Sequence, residues 1–317
     1  MRKALALSTD QAGGYLVPPD VSREVLWALR ARSAVLRLGP TVVPLAKSLD
    51  VVALSSGASA AYVGENAPIP PAEETFVQSA LLTPKELAAL VPVSDRLLRE
   101  ADPNPSIEEI VRRDLAEVLA LRADFAFLRG TGSGGEPRGI RNTSGLTPWP
   151  SLGANGSTPS FDDLKDVVAA LRQQNAPFGS PGWIFNPRLL NTLDKMKASD
   201  GRYLADAGLL TFDLTGAGGT LLGYPFATTT QIPLNLVTGS NGDTTEVYFS
   251  SDWEEAWLGV EDELRIEVSN EASYTSDGGS PWHSAWQQRQ HLFRATWTHD
   301  LGLRRPQLFT CVVGVRP

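Results

Sequence analysis

Residues 106–129, SIEEIVRRDLAEVLALRADFAFLR, decide how this chain is read. They predict one long helix. Pro103 and Pro105 keep any earlier helix from running into it. Ser106 is placed to act as N-cap, and Glu109 three residues on completes a capping box. Glu108 and Asp114 lie toward the positive N-terminal end of the helix dipole, and Arg129 lies at the negative end. Ile107, Ile110, Val111, Leu115, Val118, Leu119, Phe125 and Leu128 recur at three- and four-residue steps, so one face is apolar. Gly130 stops the helix. At 1.5 Å per residue the rod is about 36 Å long, more than most helices in compact domains reach. The sequence holds no second helix of that length to pair with it. Spacing alone therefore reads as a core helix lying on a sheet.

The rest of the composition is that of a soluble globular protein. A chain of 317 residues suggests about two domains. Apolar content of 42% and charged content of 20% are ordinary for that class. Apolar runs such as 87–93 are far short of a membrane span. The start, MRKALALSTDQAGG, turns polar too soon for a signal peptide. A net charge of −8 argues against tight binding to nucleic acid, which needs a basic footprint. Cys311 is the single cysteine, which excludes an internal disulfide; within the run 308–313 it reads as a small buried hydrophobe. Synthesis in the cytoplasm is expected.

Outward from the long helix, the elements follow in a mixed order. Residues 1–14 read as a flexible arm, and 21–38 as an amphipathic helix capped by Asp20 and ended by Gly39-Pro40. Residues 41–84 form a long two-stranded excursion with a small-residue turn and three prolines. Such a hairpin has no core of its own. Its apolar side chains, among them Val51, Val52, Tyr62, Ile69, Phe76, Leu81 and Leu82, exceed what a free hairpin should expose. They must fold back on their own domain or lie on a neighbouring subunit. Deleting 50–71 is expected to leave the body folded. Residues 85–94 read as a strand, with Ser94 capping a short helix; 141–160 look like a boundary. Helices are expected at 161–175 and 187–198, and strands at 182–186, 221–230, 246–260, 263–272, 290–300 and 308–315. The class is α+β, without a regular βαβ repeat.

Tests for chemistry return little. Residues 130–135, GTGSGG, match phosphate-loop spacings in form, but the loop follows a helix and leads into Pro137. Glu136 stands where a phosphate-binding lysine belongs. His283, His291 and His299 are spaced by eight, too far apart along a strand to share a metal, so no metal or cofactor is expected. No G-x-S-x-G nucleophile elbow is present, and the acidic pairs lack acid/base partners. Trp282, Trp286 and Trp297 suggest packing or an interface rather than a stacking platform.

The order of parts resembles the major capsid protein family of tailed bacteriophages, with the Hong Kong 97-type fold. The resemblance is carried by GGYLVPPDVSREV (13–25), YVGENAPIPPAEETF (62–76), LVPVSDRLLREA (90–101), DFAFLRGTGSGGEPRGI (124–140), WIFNPRLLNTLDKMKASDGRYL (183–204) and LLGYPF (221–226). It implies an arm and first helix over 1–40 and an extended loop over 41–84. It further implies a peripheral domain from 85–145 and 259–300 around the spine helix, and an axial domain from 146–258 and 301–317. By resemblance the protein is no enzyme. It would form homo-pentamers and homo-hexamers that close an icosahedral shell around double-stranded DNA, bound without sequence specificity, with no membrane involved. It would reside in the virion, after assembly in the host cytoplasm.

The family's loop lies across the adjacent subunit. The contacts implied between subunits involve Tyr62, Glu65, Asn66, Ile69, Phe76, Arg112 and Arg129. Some members crosslink a lysine of this loop to a neighbour's asparagine; Ile69 stands at that place here, which implies a noncovalent shell. Scaffold, maturation protease, portal and cement proteins are further implied partners. No long amino-terminal scaffolding segment is seen, so a mature form or a separate scaffold is expected. An acidic lining would let packed DNA slide. Two other readings stay open at this point: an encapsulin-like compartment of the same fold, and a soluble α+β enzyme.

Overall fold

The computed structural model describes residues 33–56, 62, 75–100, 107–149, 152–197, 201–203, 208–213, 218–275 and 281–317. The arm, residues 21–32 and the expected cap Ser106 lie outside them. The chain is α+β, as its sequence indicates. Helix α1 is Ala34–Arg37, followed by β1 (Thr41–Pro44), β2 (Leu49–Ser56), β3 (Thr75–Leu82) and β4 (Lys85–Ser94). Helix α2 is Asp95–Glu100, and the long helix α3 is Ile107–Arg129. Then come α4 (Phe161–Gln173), β5 (Gly182–Phe185), α5 (Pro187–Asp194), β6 (Leu210–Phe212), β7 (Gly218–Leu221), β8 (Tyr224–Thr228), β9 (Leu236–Thr238) and β10 (Asn241–Ser250). The last part holds β11 (Ala256–Ser269), β12 (Ser273–Thr275), β13 (Trp282–Ser284), α6 (Ala285–Gln288), β14 (Gln290–Leu303) and β15 (Phe309–Val315).

These elements form two compact units. The described parts of the first come from 88–120 and 262–297, and those of the second from 33–87, 121–261 and 298–317. Helix α3 and strands β4, β11 and β14 contribute residues to both. Those three strands and β1 make a four-stranded sheet in the order β1-β11-β14-β4.

Among its described residues the second unit also holds a seven-stranded sheet, ordered β15-β10-β5-β8-β7-β6, with β9 paired to β10. Its core follows from the sequence pattern. Leu164, Val167, Val168 and Leu171 repeat at helical spacing on α4 and are all buried. Ser160 and Asp163 close a capping box that starts that helix. β5 is buried at every position, and Trp183 stacks on Phe249 of β10 at 4.1 Å between ring centres. Each such fully buried apolar side chain contributes about 1.5–3 kcal/mol.

Two expectations are corrected. The helix expected over 21–38 is not continuous through Ser33, which is extended (φ −83, ψ 126) and caps α1 by accepting from the Leu36 N–H. The Ala34 and Val35 N–H groups donate to Asp124, so they cannot serve carbonyls four residues back. The run 221–230 is not one strand. Leu222 (φ 55) and Gly223 (φ 81) form a tight turn between β7 and β8, with Leu221 paired to Tyr224. Two left-handed residues in a row are the signature of a two-residue hairpin loop. Leucine at the first of them hides the turn from composition.

Candidate assembly surface

The excursion between β2 and β3 has a buried foot. The two strands pair antiparallel from Leu49–Leu82 to Ser56–Thr75, with a register shift between Val51 and Val52. Leu45, Val51 and Leu82 are buried together, with Val43, Leu49, Ala80 and Trp257 packed against them. Gly302 of β14 lies under this cluster; a Cβ there would come within 2.8 Å of Leu82 and 2.9 Å of Ala80. Polar contacts finish the anchor. The Ser79 hydroxyl donates to the Leu303 carbonyl at 2.8 Å. The Asp300 carboxylate, 1% exposed, accepts from the Thr83 N–H at 2.8 Å and from Lys85 Nζ at 2.7 Å. The foot therefore folds back on its own unit. Deleting 50–71 would remove Val51 from that small core, so the expectation that this whole stretch is dispensable to the body is corrected. The outward side differs: Val52 is 48% and Leu81 52% exposed.

The Gly-rich loop leaves α3 through close backbone contacts at its two ends. Gly139 N–H donates to the Gly130 carbonyl at 3.0 Å, and a Cβ on Gly130 would sit 2.2 Å from the Pro137 carbonyl oxygen. Glu136 accepts from Arg122 at 2.8 Å and from the Thr131 N–H at 3.1 Å. The acid that spoils a phosphate site thus fastens the loop to the helix.

Two carboxylates seat the carboxyl-terminal part of α3. Glu246 of β10, 2% exposed, accepts from Arg141 Nε at 2.7 Å and the Tyr248 hydroxyl at 2.8 Å, with Arg129 Nε at 3.5 Å. Charge and hydrogen bonds together make its burial tolerable. Burial and the nearby acid push the Tyr248 phenol and the Cys311 thiol well above their usual ranges. Asp124 on α3 has no exposed surface and accepts from Ser33 Oγ and from the N–H groups of Ala34 (2.7 Å) and Val35 (3.3 Å). Burial raises its carboxyl to about 6, against the pull of those donors and of Thr229.

The first unit carries exposed apolar side chains: Leu97 on α2, Ile110 and Val118 on α3, and Trp282 and Trp286 at 72% and 67% exposure. Trp297 is fully buried, so the three tryptophans do not form one platform. Tyr274 lies beside His283, 5.4 Å between ring centres.

The residues expected to meet neighbouring subunits fall in different places. Tyr62 is fully exposed. Glu65, Asn66 and Ile69 lie outside the described residues. Phe76 is in β3, opposite Leu54. Arg112 pairs with Glu108 one turn earlier on α3 at 2.7 Å, and Arg129 faces buried Glu246. Residue reasoning missed Asp124, Glu246 and Asp300. Asp124 had a legible signal: it stands four residues from Ala120 and from Leu128, on the apolar stripe. Among the described residues no group of three or more histidine, cysteine or acidic side chains could hold a metal, and no helix is long and apolar enough to cross a membrane.

A long helix, an extended hairpin and two mixed units arranged in this order define the Hong Kong 97-type capsid fold. Solved structures share it. The capsid of a native GTA particle is 20% identical, with 98% of this chain and 100% of that one covered at a TM-score of 0.63. The Mycobacterium phage Adephagia structure is 15% identical, with 98% and 99% covered at 0.64. The chain belongs to the phage capsid family, as a major capsid protein of a phage: the family's model matches residues 13–314. The "Major capsid protein" of Klebsiella oxytoca phage phiKO2 is 30% identical over 318 residues, covering 98% of this chain and 71% of that protein. The family's role is structural, as a component of the virion. This supports the capsid reading.

Proposed function

We propose that this chain assembles with copies of itself into pentamers and hexamers that close an icosahedral shell around double-stranded DNA. The observation that carries the reading is the two-sided hairpin. Its foot is buried and clamped through Asp300, while Val52 and Leu81 turn apolar surface outward. Surface of that kind on an extended element is what a neighbouring subunit would cover. In this reading 1–40 is the arm and first helix, and 41–84 the loop that lies on the neighbour. Residues 85–145 and 259–300 form the peripheral domain, and 146–258 with 301–317 the axial one. Tyr62, Glu65, Asn66, Ile69, Phe76, Arg112 and Arg129 are the proposed contacts. The DNA is enclosed rather than bound by sequence, which the net charge of −8 supports. Assembly takes place in the host cytoplasm, with scaffold, protease, portal and cement proteins as candidate partners.

The shell is proposed to be noncovalent, because Ile69 offers no nucleophilic nitrogen and one cysteine per chain cannot build a disulfide network. Electron microscopy of the purified protein tests the assembly, and closed particles are expected. Replacing 57–71 by a short Gly-Ser bridge, which spares Val51, should leave folded subunits that no longer close shells. Normal shells from that variant, or a strictly monomeric wild-type protein across salt and concentration, would overturn the reading. Boiling shells in detergent should give a single band at the monomer mass of 34.1 kDa.

A further inference from the structure

Helix α1 has four residues, too few to be stable alone. Its start is held by one side chain from another element. Asp124 takes the Ser33 hydroxyl and the Ala34 and Val35 N–H groups, and Ser33 in turn caps Leu36 at 3.1 Å. No part of Asp124 reaches solvent.

A buried carboxylate usually has a cation beside it. Several charged and titratable groups on α1, α3 and β8 serve elsewhere or lie outside. Arg37, in the last turn of α1, is exposed. On α3, Arg122 pairs with Glu136 and Arg129 with Glu246. Tyr224, on β8, accepts from Arg172 at 2.7 Å. The groups that act on the Asp124 carboxyl are neutral: Ser33, Ala34, Val35 and Thr229.

We propose that Asp124 is a proton-operated latch that seats residues 33–38 on the spine helix more firmly when its carboxyl is protonated and releases them more readily when it is ionised. The sign follows from linkage. Lifted off, the carboxyl meets water and returns toward its ordinary 3.8; seated, burial holds it at about 6. Seating therefore binds a proton between those values, and acid favours the seated state. As pH rises through 6 that advantage is lost. Across pH 5 to 7.5 the open-to-seated ratio should rise about tenfold. Protonated on Oδ1, the carboxyl still accepts the Ala34 N–H at Oδ2, and its O–H can turn to the Ser33 oxygen, so these two links to α1 persist while the Val35 contact weakens.

Hydrogen exchange read by mass spectrometry on the purified full-length protein tests this. Peptides covering 33–38 are compared with a control in α5, with intrinsic rates divided out. Protection of 33–38 should fall about tenfold from pH 5 to 7.5 while the control stays level. Asp124→Asn should make protection independent of pH. Should that variant fail to fold, Ser33→Ala keeps the titrating carboxyl; its protection should be weaker but still fall with pH. Flat protection in the wild type, protection that rises with pH, or flat protection in Ser33→Ala would each overturn the latch.

Discussion

Val51 and Val52 are neighbours on one strand with opposite surroundings. Val51 is fully buried with Leu45 and Leu82, whereas Val52 is 48% exposed; across the hairpin Leu82 is buried and Leu81 is 52% exposed. Strand alternation puts adjacent residues on opposite faces. Here the inner face belongs to the subunit's own small core, and the outer face is open. Apolar composition of 41–84 shows neither side by itself. The difference teaches that an extended loop can be firmly rooted and still leave apolar surface exposed, with the boundary running between adjacent residues.

The comparison can be broken at three points. The largest effect is expected from Leu82→Ala, which opens a cavity in the foot and should destabilise the unassembled subunit by about 2–5 kcal/mol in urea unfolding. An effect near zero would mean that the foot is not a core. Asp300→Asn comes next. It takes the charge from a buried site that Thr83 and Lys85 share, and should lower stability by about 1.5–3 kcal/mol in the same measurement. Leu81→Ser should be the mildest, within about 0.5 kcal/mol for the isolated subunit. Its effect belongs to assembly: fewer closed particles by electron microscopy at equal protein concentration. A Leu81→Ser variant that unfolds like Leu82→Ala would erase the distinction between the faces.

Much of the fold was legible because its signals are local. The spine helix carries its apolar repeat and its glycine stop within one stretch, and the observed Ile107–Arg129 matches that reading to a residue at its carboxyl end. The buried strand at 182–185 and the helix opened by Pro187 were equally plain. The 221–230 hairpin was missed because Leu222 adopts φ 55, a conformation its residue type does not advertise. The break at Ser33 was missed because its cause, Asp124, is 91 residues away. Of the proposed contacts, Tyr62 and the loop around it were suggested by resemblance and apolar excess. The clamps at Asp300 and Glu246 carried no comparable mark, since acids are frequent on solvated faces.

By itself, then, the sequence determined most of the helices and strands and which family the order of parts resembles. These properties depend on spacing within a turn or a strand, and spacing is written in the chain. Only the tertiary structure decided which acids are buried and what holds them. It set Asp124 among neutral donors, Glu246 between two guanidinium groups, and Asp300 beside Lys85. Whether a carboxylate meets water, a dipole or a cation depends on residues that folding brings in from far along the chain. In a medium of low polarity that choice sets both the energy of the group and its response to pH.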